Sequence, residues 1–285
     1  MMRQGTDLAC RMSAAALATP GAAGALPGAL ATALRALGAA QMRGFTTGKP
    51  LGPRYQVTTR SMLDEPANPG AKQGATVVLV SGGVESAALL SYYNHWDHAH
   101  TLYPLFVDYG QRNAKQEERA QREICRNLDL EFNSINASMV SHQLNLATSG
   151  HRYHDPLPHR NMLLLSLAAS FAADCNASNV AICLDKDDLG VYSSATLPFL
   201  HNVQDLYQSL QPPLALLMPL ISLRKHQVIK LGQQVRAPWH LTYSCAEGGA
   251  EPCGKCARCM LRAQAFEEAE VEDPLLAQQQ KRRQQ

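Results

Sequence analysis

The sequence predicts an α/β fold, a parallel sheet with helices on both faces, carrying a cysteine-rich module toward its C-terminal end. Three observations predict it. Short apolar, β-branched runs alternate with helical stretches between residues 75 and 235. The first run, Val77-Val78-Leu79-Val80, stops abruptly at Ser81-Gly82-Gly83 before a stretch of small residues. Four cysteines crowd into residues 245–259.

Composition sets the outer bounds. The chain has 285 residues, 46% of them hydrophobic, enough for a sizeable core and inconsistent with global disorder. Its net charge of +2 is unevenly spread. Residues 1–50 hold five basic residues against Asp7, a net of +4, so the rest of the chain carries −2. The body thus has no electrostatic footprint of non-specific nucleic-acid binding, and no nucleic-acid partner is expected. Residues 1–50 are rich in Ala, with spaced Arg and almost no acid, the composition of an organelle transit peptide. The expected address is an organelle, the mitochondrion before the plastid, or the cytoplasm if this segment is a plain disordered extension. Residues 51–74 hold Pro53, Pro66 and Pro69 with several Gly and read as a linker. No run of about 18 apolar residues exists, so no membrane span is expected. The expected domains are therefore an α/β body at 75–240, a metal-binding module at 241–275 and a polar tail at 276–285.

Residues 75–80 form a buried parallel-type strand. Residues 86–93 form the first helix, and 101–107 a second strand ending at Asp108-Tyr109-Gly110-Gln111-Arg112. The charged stretch 114–128, with Ile124 and Leu128 at helical spacing, is a surface helix. A third strand is expected at 130–135, followed by a long polar loop over 137–158. The apolar stretch 161–173 is a helix whose alanines permit close packing. A fourth strand at 179–184 leads into an acidic turn at 185–190. A helix at 200–210, an apolar segment at 214–220 and a helix at 223–235 complete the body. Ligands in such folds sit beyond the carboxyl ends of the strands. The Ser81, Asp108 and Asp185 turns all follow strands, so they should share one rim.

The turn after the first strand has the makings of an anion site. Glycine permits φ > 0 and close backbone approach. A helix start presents unpaired N–H groups and the positive end of its dipole. Ser81 and Ser86 add hydroxyls. A polyphosphate is the natural occupant, although Gly-Gly alone fits an ordinary turn equally well. The cysteines speak more clearly. Cys245, Cys253, Cys256 and Cys259 can wrap a tetrahedral structural Zn²⁺. A redox-active pair or an iron–sulfur cluster is the alternative. Cys125, Cys175 and Cys183 read as small hydrophobes.

Taken together, these residues resemble a family. Ser81-Gly82-Gly83-Val84-Glu85-Ser86 resembles the pyrophosphate loop of the PP-loop N-type ATP pyrophosphatases, whose fold is adenine nucleotide alpha hydrolase-like. Tyr109-Gly110-Gln111-Arg112, Arg160-Asn161, Pro219-Leu220 with Lys225, and Ser244-Cys245 through Arg262 narrow the resemblance to the 7-cyano-7-deazaguanine synthases of queuosine biosynthesis. It covers residues 75–274. It implies an ATP-dependent carbon–nitrogen ligase that joins ammonia to 7-carboxy-7-deazaguanine, or a related deazapurine, and dehydrates the amide to a nitrile. It implies Val80, Ser81, Gly82, Gly83, Val84, Glu85, Ser86, Gln111, Arg112 and Asn161 around ATP and Mg²⁺, with Ser81, Glu85, Ser86 and Arg160 in the chemistry. It implies zinc on the four cysteines and makes a homodimer reasonable. Taken singly, Arg160 could be a surface ion pair, Asn161 a helix cap, and Gln111 and Arg112 plain loop residues.

The chain departs from the family pattern in three places. Glu85 stands at the usual Asp, placing the carboxylate about 1.5 Å, one bond length, further out. His159 stands where Gly precedes Arg-Asn, so a positive φ there would be strained. Gly190-Val191-Tyr192-Ser193-Ser194-Ala195 replaces Gly-Tyr-Pro-Asp-Cys-Arg, a segment that lines the family's substrate pocket. Two other readings stay open: a PP-loop enzyme acting on another substrate, such as a tRNA base, and a non-catalytic descendant that keeps ATP and zinc.

Overall fold

The computed structural model describes residues 74–96, 101–143 and 157–277. The expected transit peptide, nearly all of the linker, part of the long polar loop and the end of the tail lie outside them. The described residues hold five strands: β1 (Thr76–Val80), β2 (Leu102–Asp108), β3 (Asn133–Asn136), β4 (Asn179–Ile182) and β5 (Ala215–Leu217). The helices are α1 (Val84–Trp96), α2 (Ala114–Asn127), α3 (Met139–Gln143), α4 (Arg160–Asp174), α5 (Leu197–Gln208), α6 (Lys225–Gln234) and α7 (Ala257–Ala269). Short 3₁₀ turns sit at Lys186–Asp188 and Trp239–Leu241.

The strands pair in the order β3-β2-β1-β4-β5, and every pairing is parallel. β1 is central, with Thr76 opposite Leu102 on one side and Asn179 on the other. All five of its residues are buried, as expected of a strand covered on both faces. The chain first moves one way, β1 to β2 to β3, then returns across β1 to β4 and β5. Right-handed crossovers therefore place α1 and α2 on one face and α4 and α5 on the other. Packing agrees. Val77 and Leu79 share a core with Leu165, Ala168 and Ala172 of α4 and Leu200 and Val203 of α5. Val78 and Val80 point the opposite way. α6 packs against α1, and α7 against α6, so the C-terminal module is seated on the α1 side.

Most expected elements are present with shifted ends, and three differences have clear causes. The first helix begins at Val84 rather than 86, because the glycine turn feeds directly into it. β3 lies at Asn133–Asn136 rather than 130–135; it is a half-exposed edge strand whose limits follow its pairing with Leu105–Asp108. The polar stretch from 137 opens with α3, a five-residue helix too short to show periodicity.

Candidate functional site

The strand order reverses between β1 and β4, and the crevice beyond their carboxyl ends is where such folds hold ligands. Ser81–Gly83 sits at that point. Gly82 adopts φ +73° and packs so tightly on α2 that an added Cβ would lie 2.6 Å from the Glu117 carbonyl oxygen. Glycine is therefore required both for its dihedral and for lack of space. The Gly82 N–H donates to Gln121 Oε1 at 3.1 Å, and the Gly82 carbonyl accepts from the Tyr243 N–H at 2.8 Å. The Ser81 N–H donates to the hydroxyl of buried Ser86 at 2.9 Å. Val80 ends the strand, and Val84, Glu85 and Ser86 form the first turn of α1, whose N–H groups have no partner within the helix. Ser81 itself is exposed. The loop is thus braced from behind by α2 and by residue 243, leaving its front for an anion.

A charged cluster faces it. Glu85 pairs with Lys225, the first residue of α6. Lys225 Nζ also lies 2.8 Å from Asp185 Oδ2, and Asp185 is fully buried after β4. Asp188 completes the group through the Asp185 N–H, 3.2 Å away. Burial pushes the Glu85 carboxyl up, but the charge and hydrogen bond of Lys225 outweigh it and leave Glu85 below the ordinary range. Burial and the neighbouring Glu85 charge push Asp185 up, against the pull of Lys225. Burial raises Asp188 to about 6, with Glu85 and Asp185 adding to it. Burial lowers Lys225, but Glu85, Asp188 and Asp185 together carry it well above the usual lysine value. Three carboxylates against one ammonium suit a hard cation bridging to phosphate. Cys183 lies beside Ser86 and Glu85, with its thiol held up at about 12 by burial, which makes it inert.

The other expected residues are placed as follows. Gln111 is buried, and its amide accepts from the Tyr109 N–H at 2.9 Å and donates to the Val107 carbonyl at 3.2 Å and to Glu117 at 3.1 Å. Its amide is engaged within the turn it shapes. Arg112 is exposed and pairs with Glu247 at 2.9 Å. Arg160 opens α4 and stacks on Tyr192, 4.9 Å from the ring centroid. Asn161 is buried and donates to the Ser194 carbonyl at 2.8 Å, so the cap position belongs to its neighbour His159. His159 has φ 54°, the strained conformation expected where glycine is replaced, and its Nδ1 lies 3.0 Å from Ser193 Oγ. Residues 159–161 thus contact 192–194 one for one, and two of the three departures from the family pattern touch each other.

Cys245, Cys253, Cys256 and Cys259 bring four sulfurs within 4.8 Å of one another. A tetrahedron of thiolates around zinc has edges of about 3.8 Å, so small inward shifts suffice. The backbone already favours thiolate. Glu247 and Cys253 aim N–H groups at the Cys245 sulfur, each at 3.4 Å. N–H groups of Lys255 and Cys256 bring the Cys253 thiol down to about 6. The donor set fits a structural metal.

Several residues of the site escape a sequence reading. Glu117 carries no local motif, Asp185 and Asp188 show only as part of an acidic turn, and Arg258 only as a residue inside the cysteine run. Lys225 and Arg262 appear only as motif markers, with no partner implied. Buried Arg262 makes a two-pronged pair with Asp273, at 2.7 and 3.0 Å, and donates to Thr242 at 2.8 Å. It pins α7 to the segment that carries Tyr243.

The family model for "Queuosine biosynthesis protein QueC" matches residues 75–270, from the strand before the glycine turn to the end of α7. The chain belongs to this family. The 7-cyano-7-deazaguanine synthase of Oceanobacillus iheyensis is 33% identical over 214 residues, 70% of this chain and 96% of that protein. The enzyme of the same name from Methanobrevibacter smithii is 29% identical over 219 residues, 70% of this chain and 95% of that one. Among solved structures, the U34-tRNA thiolase NcsA from Methanococcus maripaludis aligns over 69% of this chain and 65% of its own. Its identity is 12% and its TM-score 0.45, a likeness that bears no weight. The fold is a PP-loop α/β sheet carrying a four-cysteine module, and the QueC family is an enzyme family of queuosine biosynthesis.

Proposed function

We propose that the chain is an ATP-dependent ligase making 7-cyano-7-deazaguanine from 7-carboxy-7-deazaguanine and ammonia. One observation carries this reading: the family match runs unbroken from the braced glycine turn to the cysteine module. A carboxylate is a poor electrophile, and transfer to a nucleotide phosphorus gives it a leaving group. ATP would supply that group as an acyl adenylate or acyl phosphate. Ammonia would displace it to form the amide, and a second activation would place the amide oxygen on phosphorus, so that it leaves as AMP or phosphate while the nitrogen gives up its two protons and the nitrile forms.

The chain's own groups suit these steps. The α1 N-terminus and the Ser81 and Ser86 hydroxyls would hold the departing phosphates. Glu85, Asp185 and Asp188 would hold Mg²⁺, which screens phosphate charge. Lys225 fixes Glu85 and Asp185 and keeps both oriented in the cation's absence. Arg160, with the aromatic rings of Tyr109 and Tyr192, would face the acid substrate. Cys245, Cys253, Cys256 and Cys259 would hold Zn²⁺ and fold the module. The test is direct: full-length protein with ATP, Mg²⁺, ammonia and 7-carboxy-7-deazaguanine, with nitrile and cleaved ATP measured together. Substrate-dependent ATP cleavage with nitrile product is expected. ATP cleavage that appears only with tRNA, or none with any substrate, would overturn the reading.

A further inference from the structure

A second polar cluster lies beside the glycine turn. Glu117, in the first turn of α2, is buried and accepts from Asn113 at 2.7 Å and from Gln111 at 3.1 Å. Two guanidiniums flank it. Arg160 reaches across from the start of α4, and its charge acts on the buried Tyr109 hydroxyl. Arg258 comes from the cysteine module, between Cys256 and Cys259. The charges of both arginines act on Glu117 and on Tyr109. Tyr109 follows β2 and Arg160 opens α4, so the cluster sits on the same carboxyl edge as the glycine turn.

Arg258 is poorly matched where it stands. Among the described residues its guanidinium makes one hydrogen bond, a long one of 3.5 Å to Glu117, and its side chain is a third exposed. A guanidinium has five donors in a fixed fork made for an oxyanion. Glu117 is already satisfied by two amides and can return little more. The Arg258 fork therefore keeps donors that Glu117 does not use. Burial of Glu117 favours its neutral form, which weakens its hold on Arg258 further.

We propose that Arg258 and Arg160 together form an oxyanion-binding subsite, which takes either the carboxylate of the acid substrate or a phosphate of the nucleotide. The identity of those two ligands rests on the ligase reading above; the subsite itself rests on the geometry. The cysteine module thereby contributes a binding residue as well as a brace.

The experiment uses full-length wild type, R258A and R258K. Calorimetry measures the Kd of 7-carboxy-7-deazaguanine in one arm and of ATP with Mg²⁺ in the other. R258A should weaken one arm by about tenfold or more and leave the other within about twofold. R258K should fall between, since an ammonium keeps the charge but not the fork. Loss in the acid arm assigns the carboxylate, and loss in the ATP arm the phosphate. No change in either arm overturns the subsite. Equal loss in both, or loss of module-bound metal, makes Arg258 a structural tie and also overturns it. Nitrile formation by wild type is followed in parallel. If wild type makes no nitrile while Arg258 still governs one arm, the ligase reading fails and the subsite stands. If it makes nitrile and neither arm responds, the subsite alone fails. Wild type that binds neither ligand overturns both.

Discussion

At Lys225 one ammonium serves two carboxylates, Glu85 and Asp185, with exposures of 18%, 16% and 0% for the three side chains. Removing it leaves two acids in a poorly solvated place. Lys225→Met should therefore cost roughly 3–5 kcal/mol at pH 7, the range for breaking a buried pair. Urea unfolding measures this, and a loss below about 1 kcal/mol would mean that the acids simply protonate. Asp188 gives a pH signature of the opposite kind. Its folded-state value, about 6, lies above the ordinary 3.8, so the folded protein holds that proton more tightly than the unfolded chain does. The resulting penalty is complete above about pH 6 and vanishes as pH falls toward 4. Wild type in Mg²⁺-free buffer should gain stability between pH 7 and pH 5, and Asp188→Asn should lose its own share of that slope, with Asp185 and Glu117, also raised, supplying the rest. Urea midpoints at the two pH values decide it; an unchanged slope in the variant assigns the effect elsewhere. The sequence exposes Glu85 as a departure because the motif around it is local. Its partner is hidden, since Lys225 is 140 residues away and only the α1–α6 packing joins them.

Between helix and loop, the start of α4 shows how a local rule was legible and its compensation was not. A Gly-to-His change at a helix entry signals strain from sequence alone, and His159 does sit at φ 54°. Nothing in the sequence says that its ring would meet Ser193, 34 residues on, at 3.0 Å. The left-handed conformation costs a non-glycine residue about 1 kcal/mol. An exposed hydrogen bond returns about 0.5–1.5 kcal/mol. These nearly cancel, so His159→Gly should change stability by less than about 1 kcal/mol, measured by thermal unfolding at pH 7. A loss beyond about 2 kcal/mol would show that His159 does more than close this contact. Core strands and long helices were legible because apolar runs and helical spacing mark them. β3 and α3 were displaced or missed because an edge strand of alternating exposure and a five-residue polar helix lack both signals.

Across the molecule, the four cysteines were legible because their spacing is local, but their purpose in the fold depends on contacts that span the chain. The segment bearing them touches the glycine turn and the adjacent loop in several places. The Tyr243 N–H donates to the Gly82 carbonyl at 2.8 Å, and Asn113 donates to the Cys245 carbonyl at 3.1 Å. An added Cβ on Gly248 would lie 2.5 Å from the Arg112 carbonyl oxygen, and Ala120 of α2 packs among the cysteines themselves. A module whose four cysteines fit a metal thus forms the back wall of the glycine turn. Metal-depleted protein, prepared by chelation under reducing conditions, should exchange amide hydrogens faster at residues 243–259 and also at 81–86. The central strand Thr76–Val80, buried between two helical layers, should keep its protection. ATP affinity should fall with the loop's protection and return when zinc is restored. Zinc should rebind at one per chain, since four thiolates complete one tetrahedral shell. Exchange that speeds up in the module alone, with residues 81–86 unchanged, would mean that the metal folds its own segment and braces nothing else.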